Sequence, residues 1–387
     1  QIMPNKSFSV KIKHKIKPFS KTIKVDSDKS LSIRSFLLGS ICQNISTVNN
    51  VLESGDVKSA IKTCQKLGVI IKKIRPKSYK IYGKGLGSLF IKKNTLLNFG
   101  NSGTLARLLV GILSTTPNIE IKIKGDHSLN KRSMEKLINL LSKFGATFLP
   151  INKYTFPLKM ISSEMPVGIK YKAGVSAQLK SAVLLAGLNS YGNTIIEEQI
   201  ISRDHTENLL MKNIQSIKIT KNKKKIIKVK GKSYLNPLNL NIGGDPSSAA
   251  FFAALTLLNK NSTLKIKNVG LNPTRTGFYE ILKKQKVKIN FKNIIKDNNE
   301  IRGDILIKSS KLKPMNVPAS LYPRTTDEYL ILFVLASLTN GVSTFRGISE
   351  LKGKESSRAH EMKKILNQID VKCKLSQNEM KIYGRGM

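Results

Sequence analysis

The sequence predicts an α+β fold of two globular parts in which helices lie inside and sheets outside. Three observations carry this. At 387 residues the chain has room for about two domains, each with a sizeable core. A unit of about seventy residues recurs along it, with anchors at Ser30, Ser102, Ser176, Ser247 and Asp327 that step by 72, 74, 71 and 80 residues. The helix opening each unit is apolar nearly all round, a pattern that calls for cover on every side. Solenoid repeats run to roughly 20–50 residues, so units this long each hold a small α/β layer of their own.

Each unit reads in the same order: a small polar turn, an apolar helix, a short β-branched strand, then a more amphipathic helix. The first passes from Lys29-Ser30 into Phe36-Leu37-Leu38, a strand at 44–48 and a helix at 56–67. The second passes from Ser102-Gly103-Thr104 into residues 108–113, a strand at 119–121 and a helix at 131–144. The third opens at Ser176-Ala177-Gln178, with an apolar run at 183–188, a strand at 192–196 and a helix at 204–211. The fourth opens at Ser247-Ser248, with 251–255, 262–266 and 275–284 in the same roles. The fifth opens at Thr326-Asp327-Glu328, followed by 330–335, 341–345 and 360–366. With the helices buried, the sheets are expected outside, half solvated and lysine-rich on their outer faces.

The charge pattern points to function. Eleven arginines stand against 56 lysines, and most arginines fall in or beside the polar turns, at 34, 107, 132, 203, 275, 324 and 358. Guanidinium groups grip carboxylates and phosphates at two points. Ser, Thr, Gly and Asp at helix starts leave amide N–H groups and partial positive charge facing outward. Together these features point to an enzyme for small, multiply anionic substrates. The net charge of +43 also fits a nucleic-acid-binding protein. However, the lysines are dispersed apart from 221–230, and aromatic residues do not interleave with them as a base-stacking platform requires. Cys42, Cys64 and Cys373 have no metal-like spacing, and neither do His14, His127, His205 and His360, so neither metal nor cofactor is expected. No apolar run reaches the roughly 18 residues of a membrane span, and the first residues lack a signal-peptide core. A cytoplasmic location is expected, with no membrane partner.

Nine motifs in order then resemble one family, the 5-enolpyruvylshikimate-3-phosphate synthases (3-phosphoshikimate 1-carboxyvinyltransferases), from about Lys21 to Gly384. They are Asp28-Lys29-Ser30-Leu31-Ser32-Ile33-Arg34, Gly100-Asn101-Ser102-Gly103-Thr104 with Arg107, and the 125–132 segment ending in Lys131-Arg132. Next come Ser176-Ala177-Gln178-Leu179-Lys180-Ser181, Ser202-Arg203-Asp204-His205-Thr206-Glu207, Gly244-Asp245-Pro246-Ser247-Ser248-Ala249 and Asn272-Pro273-Thr274-Arg275-Thr276-Gly277. The last are Asp327-Glu328 and the 350–358 segment containing Lys354-Glu355 and Arg358. The resemblance implies the two-globule inverse α/β fold of the enolpyruvyl transferases, built from βαβαββ repeats with buried helices. It places one globule at 27–237 and the other at 1–26 plus 238–387, with crossings near Val25 and Asn236-Pro237.

The resemblance also implies transfer of the enolpyruvyl group of phosphoenolpyruvate to the 5-hydroxyl of shikimate 3-phosphate, by addition and elimination. It gives Lys29 contact with both substrates, and Ser30 and Arg34 the shikimate carboxylate and ring. Asn101, Gly103 and Thr104 form the phosphoenolpyruvate turn, with Arg132 on its phosphate. Ser176, Ala177 and Gln178 hold the shikimate phosphate and ring, with Ser202 and Arg203 nearby. Asp327 is the expected base and Glu355 the expected proton donor, flanked by Lys354 and Arg358. The inhibitor glyphosate is expected to fit beside Gly103. Three departures stand out. Ser357 replaces the usual acid, Ser133 replaces the usual proline, and five repeats are countable where the family has six. A C-terminally incomplete chain with an exposed apolar face and a partial site is therefore expected. A monomer acting on small molecules, without nucleic acid, is the expected working form. A UDP-N-acetylglucosamine enolpyruvyl transferase is the nearest alternative, but the Lys-Asn turn and loop cysteine of that group are not seen.

Overall fold

The computed structural model describes residues 8–353 and 357–387. Strand β1 (Ser20–Ile23) leads into α1 (Lys29–Ile41), β2 (Ile45–Asn49), α2 (Gly55–Lys66) and the hairpin β3 (Ile70–Arg75) and β4 (Ser78–Tyr82). The second unit is β5 (Leu96–Asn98), α3 (Gly103–Ser114), β6 (Glu120–Lys124), α4 (Glu135–Ser142), β7 (Thr147–Leu149) and β8 (Leu158–Ile161). The third is β9 (Lys170–Ala173), α5 (Ala177–Leu188), β10 (Asn193–Glu198), α6 (His205–Leu210), β11 (Ile217–Lys221) and β12 (Lys225–Lys230). After β13 (Asn239–Asn241) come α7 (Pro246–Leu258), β14 (Thr263–Gly270), α8 (Gly277–Lys283), β15 (Ile289–Asp297) and β16 (Glu300–Lys308). The last described unit is β17 (Asn316–Val317), α9 (Tyr322–Thr325), α10 (Tyr329–Ser337), β18 (Gly341–Arg346), α11 (Arg358–Gln368), β19 (Cys373–Leu375) and β20 (Glu379–Gly384).

Five four-stranded sheets result among the described residues, all with one plan. A leading strand lies parallel to the strand that follows the anchor helix, and the hairpin completes the sheet antiparallel, as in β5-β6-β8-β7. Parallel neighbours need a crossover, and the buried helix supplies it. In the first and fourth units the leading strand comes from a distant part of the sequence. β13 pairs with β2, Asn239 opposite Thr47, and β1 pairs with β14, Ser20 opposite Thr263.

Buried apolar side chains form two cores, one from Leu31 to Ile242 and one from Ala249 to Ile382. Because Leu240 and Ile242 belong to the first core, the chain crosses the second time at Gly243-Gly244, later than the expected Asn236-Pro237. The two crossing segments run side by side. The Asp28 amide donates to Gly243 O at 2.9 Å, and the Asp245 amide donates to Asp26 O at 2.8 Å.

The anchor helices are buried as expected in the first core, where residues 31–41 of α1 have no solvent face. α3 and α5 touch backbone to backbone. A Cβ on Gly111 would lie 2.7 Å from Ala182 O, so only glycine allows this approach. α7 departs from the expectation. Phe251 is 64% exposed and Phe252 45%, because only two such helices, α7 and α10, share the second core among the described residues. Two of the amphipathic helices, α4 and α8, start later than their patterns suggest. Leu129–Lys131 and Pro273–Arg275 form 3₁₀ turns ahead of α4 and α8, the second set by the Asn272 side chain accepting from the Thr274 amide.

Candidate active site

Four of the five polar turns that open the buried helices are capped by a side chain, the turn before α10 being the exception. Asp28 accepts from the Leu31 amide at 2.8 Å, Ser102 from the Leu105 amide at 3.1 Å and Ser176 from the Leu179 amide at 3.3 Å. Each cap satisfies one amide and leaves the others of its first turn facing outward.

At the start of α3, two guanidinium groups converge. Arg132 Nη2 donates to Asn101 Oδ1 at 2.7 Å, and Arg107 Nη1 donates to Gln178 Oε1 at 2.6 Å. Gln178 Nε2 in turn donates to Thr104 Oγ1 at 3.0 Å, tying α5 to α3. A Cβ on Gly103 would sit 2.7 Å from Arg107 Nη1 and 3.0 Å from Arg132 Nη1, which places both cations over the first turn. Asn101, Gly103, Thr104, Arg132 and Gln178 are thus brought together, with Ser176 and Ala177 at the adjoining helix start. Arg107, given no role from sequence, belongs with them.

The second cluster surrounds Arg34. Its Nε donates to Thr206 Oγ1 at 2.9 Å, and Thr206 also pairs with Ser181 Oγ at 2.8 Å. Burial pushes the guanidinium down to about 10, which leaves it charged at neutral pH. Ser30 lies one turn away and accepts from Arg34 Nη1 through its carbonyl at 3.3 Å.

A third cluster joins the two cores. Asp327 Oδ2 accepts from Arg203 Nη2 at 2.7 Å, and its Oδ1 lies 3.1 Å from Arg358 Nη1. Arg203 comes from the loop before α6, and Arg358 is the first residue of α11. Next to Arg203, Ser202 donates to Glu198 Oε1 from both its amide, at 3.2 Å, and its hydroxyl, at 2.8 Å. Lys29 stands apart, half-exposed, with its ammonium 3.1 Å from Asp56 Oδ2. Lys354 and Glu355 lie outside the described residues.

Two buried networks stand behind these clusters. Lys180 and Lys225 are buried with Glu198 and Glu207, at Nζ–O distances between 2.9 and 3.3 Å. Sequence reading missed this quartet because Lys225 sits in the dense lysine run at 221–230, where nothing singles out one lysine as buried. In the second network Arg275 Nη1 donates to Asp28 Oδ2 at 2.9 Å, while its Nη2 reaches Asp245 Oδ1 at 3.2 Å and Ser247 Oγ at 3.1 Å. His205 Nδ1 lies 2.7 Å from Glu300 Oε1, a further link between the cores. Among the described residues no group of three or more His, Cys, Asp or Glu side chains is disposed to hold a metal ion.

The family model for EPSP synthase (3-phosphoshikimate 1-carboxyvinyltransferase) matches residues 13–386. The chain belongs to the EPSP synthase family. Its activity is that family's 3-phosphoshikimate 1-carboxyvinyl transfer, a step of the shikimate pathway. Among its relatives, the 3-phosphoshikimate 1-carboxyvinyltransferase of Zymomonas mobilis is 36% identical over 375 residues, covering 96% of this chain and 82% of the relative. That of Bacillus subtilis is 35% identical over 372 residues, covering 96% and 86%. The EPSP synthase structure from Acinetobacter baumannii superposes with a TM-score of 0.82 at 34% identity, covering 96% of this chain and 83% of that one. The enolpyruvyl transferase NikO from Streptomyces tendae, at 12% identity and a TM-score of 0.69 over 95% and 83% of the two chains, shares the fold. Membership in the EPSP synthase family does not favour the nucleic-acid or UDP-N-acetylglucosamine alternatives.

Proposed function

We propose that the helix starts and their arginines divide the work of enolpyruvyl transfer as follows. Arg107 and Arg132, with Asn101, Gly103 and Thr104, receive phosphoenolpyruvate. Two guanidinium forks and an open helix start suit its phosphate and carboxylate. Ser176, Ala177 and Gln178, with Ser202 and Arg203, receive the phosphate of shikimate 3-phosphate, and Ser30 and Arg34 receive its carboxylate side. Lys29 exchanges Asp56 for the substrates and spans both.

Asp327 removes the proton of the 5-hydroxyl as that oxygen bonds to C2 of phosphoenolpyruvate. Glu355 gives a proton to the methylene carbon, with Lys354 and Arg358 beside it. The tetrahedral adduct then expels phosphate while its methyl group returns a proton to the Glu355 carboxylate, restoring the vinyl group and the acid. No covalent enzyme intermediate is required. A base and an acid on opposite sides of one bond-forming event divide the proton traffic.

The observation that carries this reading is the grip of Arg203 and Arg358 on Asp327. Two adjacent guanidinium groups favour a charged carboxylate, the form a base needs. That site lies where the two bodies meet, joined by the paired crossings at 24–28 and 242–246, so closure of one body on the other completes it. The protein is proposed to act as a cytoplasmic monomer on small molecules, with neither nucleic acid nor membrane as partner. The cytoplasmic reading is supported by Cys42, Cys64 and Cys373, which are free and buried as in a reducing compartment.

The test is phosphate release from phosphoenolpyruvate that depends on shikimate 3-phosphate. Asp327→Asn is expected to lower kcat by about 10²–10⁴-fold, the range of a lost general base, with both KM values little changed. Retention of wild-type kcat would remove Asp327 from the base role.

A further inference from the structure

One buried carboxyl has no part in the mechanism above. Glu328 follows Asp327, is 1% exposed, and begins α10 with its backbone carbonyl, which accepts from the Leu332 amide. Its Oε1 accepts a hydrogen bond from Ser247 Oγ at 2.6 Å, while its Oε2 is buried with no hydrogen-bond partner among the described residues. Ser247 also accepts from Arg275, and Arg275 donates to Asp28. A continuous chain of contacts, buried except at the half-buried Ser247, therefore runs Asp28–Arg275–Ser247–Glu328. It starts one residue before Lys29 and ends one residue after Asp327, linking both bodies behind the site.

We propose that Glu328 is a positioning residue for Asp327. Through Ser247 and Arg275 it fixes the start of α10, and by its own negative charge it strengthens the neighbouring carboxylate as a base. The proposal rests on Asp327 being that base. Its physical ground is the burial of Glu328, which lets its charge act on the neighbouring carboxylate with less screening than in water. The charged groups facing Glu328 are Asp327 on its own segment, Arg203 from the loop before α6 and Arg275 from the turn before α8. Tyr279 of α8 feels both Glu328 and Asp245, and Tyr329 feels Glu328 alone of these two. Burial, then the charge of Asp327, pushes the carboxyl up to about 7, against the pull of the two arginines. The group thus changes charge near neutrality rather than in acid.

Glu328→Gln keeps the size and the acceptor for Ser247 but cannot ionise. In the wild type, kcat is expected to rise through about pH 7. In the variant that step disappears, with kcat at pH 8.5 lower by about three- to tenfold, both KM values held within about twofold, and little difference at pH 6. Stability moves the other way. A carboxyl whose folded value lies above its usual 4.5 destabilises the fold as pH rises from there through about 7, so the amide variant should melt higher at pH 8.5. Ser247→Ala, which removes a hydrogen bond that favours the charged form, should move the kcat step to higher pH.

A Glu328→Gln profile parallel to wild type at every pH, or a Ser247→Ala step that does not move, would overturn the proposal. Asp327→Asn separates the two readings. Activity retained there sinks the base assignment, whereas activity lost there with an unchanged Glu328→Gln profile sinks only the role of Glu328.

Discussion

At the scale of single residues, the site was most legible where a polar turn meets an apolar helix. Asn101, Gly103, Thr104, Gln178 and Arg132 all stand in such turns, and the structure gathers them around one helix start. Arg107 reads with the turns but takes no role from sequence; it lies a full turn inside α3, and its long side chain meets Gln178 at the start of α5. Gly103 tests the assignment sharply. The atoms that crowd its missing Cβ are the ends of two flexible arginine side chains, not backbone, so alanine keeps the fold. Gly103→Ala should therefore change stability by less than about 1 kcal/mol. It should raise KM for phosphoenolpyruvate and weaken inhibition by glyphosate by about tenfold, because a displacement of even 1 Å at such a turn is costly. Inhibition curves that coincide for the two proteins would exclude binding of the inhibitor beside this turn.

At the scale of elements, periodicity showed which helices are buried, α7 apart, but not which charges go in with them. β12 alternates buried and exposed from Lys225 to Lys230, so Lys225 shares the inner face with Ile227 and Val229. That register was readable from the period of two, but the density of lysines around it argued for solvent. Lys180 was hidden in the same way inside the apolar run of α5. Both lysines meet Glu198 and Glu207, and this balanced quartet braces the loop that presents Ser202 and Arg203. Lys180→Met would leave two buried glutamates facing one cation, and breaking a buried pair in this way costs about 3–5 kcal/mol in urea denaturation. The pH dependence has a definite sign. Burial alone would raise Glu198, but Lys180 and Lys225 outweigh it and hold the carboxyl below its usual 4.5. Its contribution is therefore present above pH 4.5 and lost as pH falls through the lowered value. Burial would lower Lys225, but Glu207 and Glu198 hold it above 10.5, so its share is complete below pH 10.5 and lost above the raised value. The stability contributed by Glu198 and Lys225 should be flat between those limits, and a slope near neutrality that Lys180→Met abolishes would contradict this account.

At the scale of the whole molecule, the repeat and the outward sheets were legible from composition and period, whereas the exchange of β1 and β13 was not. A four-residue strand such as Ser20–Ile23 carries almost no register information, and nothing local says that its partner is Thr263–Ile266. Net charge was legible as a number but not as a function, and here the structure narrows its meaning. The proposed site takes in Arg34, Arg107, Arg132, Arg203 and Arg358, while many lysines lie on exposed sheet faces and loops. A total of +43 on the chain sets up a field that draws in anions from beyond contact distance, and the inner arginines then hold them. The two roles respond differently to salt. The outer field acts across water and is screened once the Debye length shrinks from about 30 Å at 0.01 M to about 3 Å at 1 M, whereas close guanidinium–phosphate pairs in a closed site are screened much less. Raising KCl from about 0.02 to 0.5 M should therefore lower kcat/KM for both anionic substrates by about tenfold while kcat moves less than about twofold. If kcat/KM is flat across that range, the lysines do not steer substrate and their abundance is a property of the surface alone.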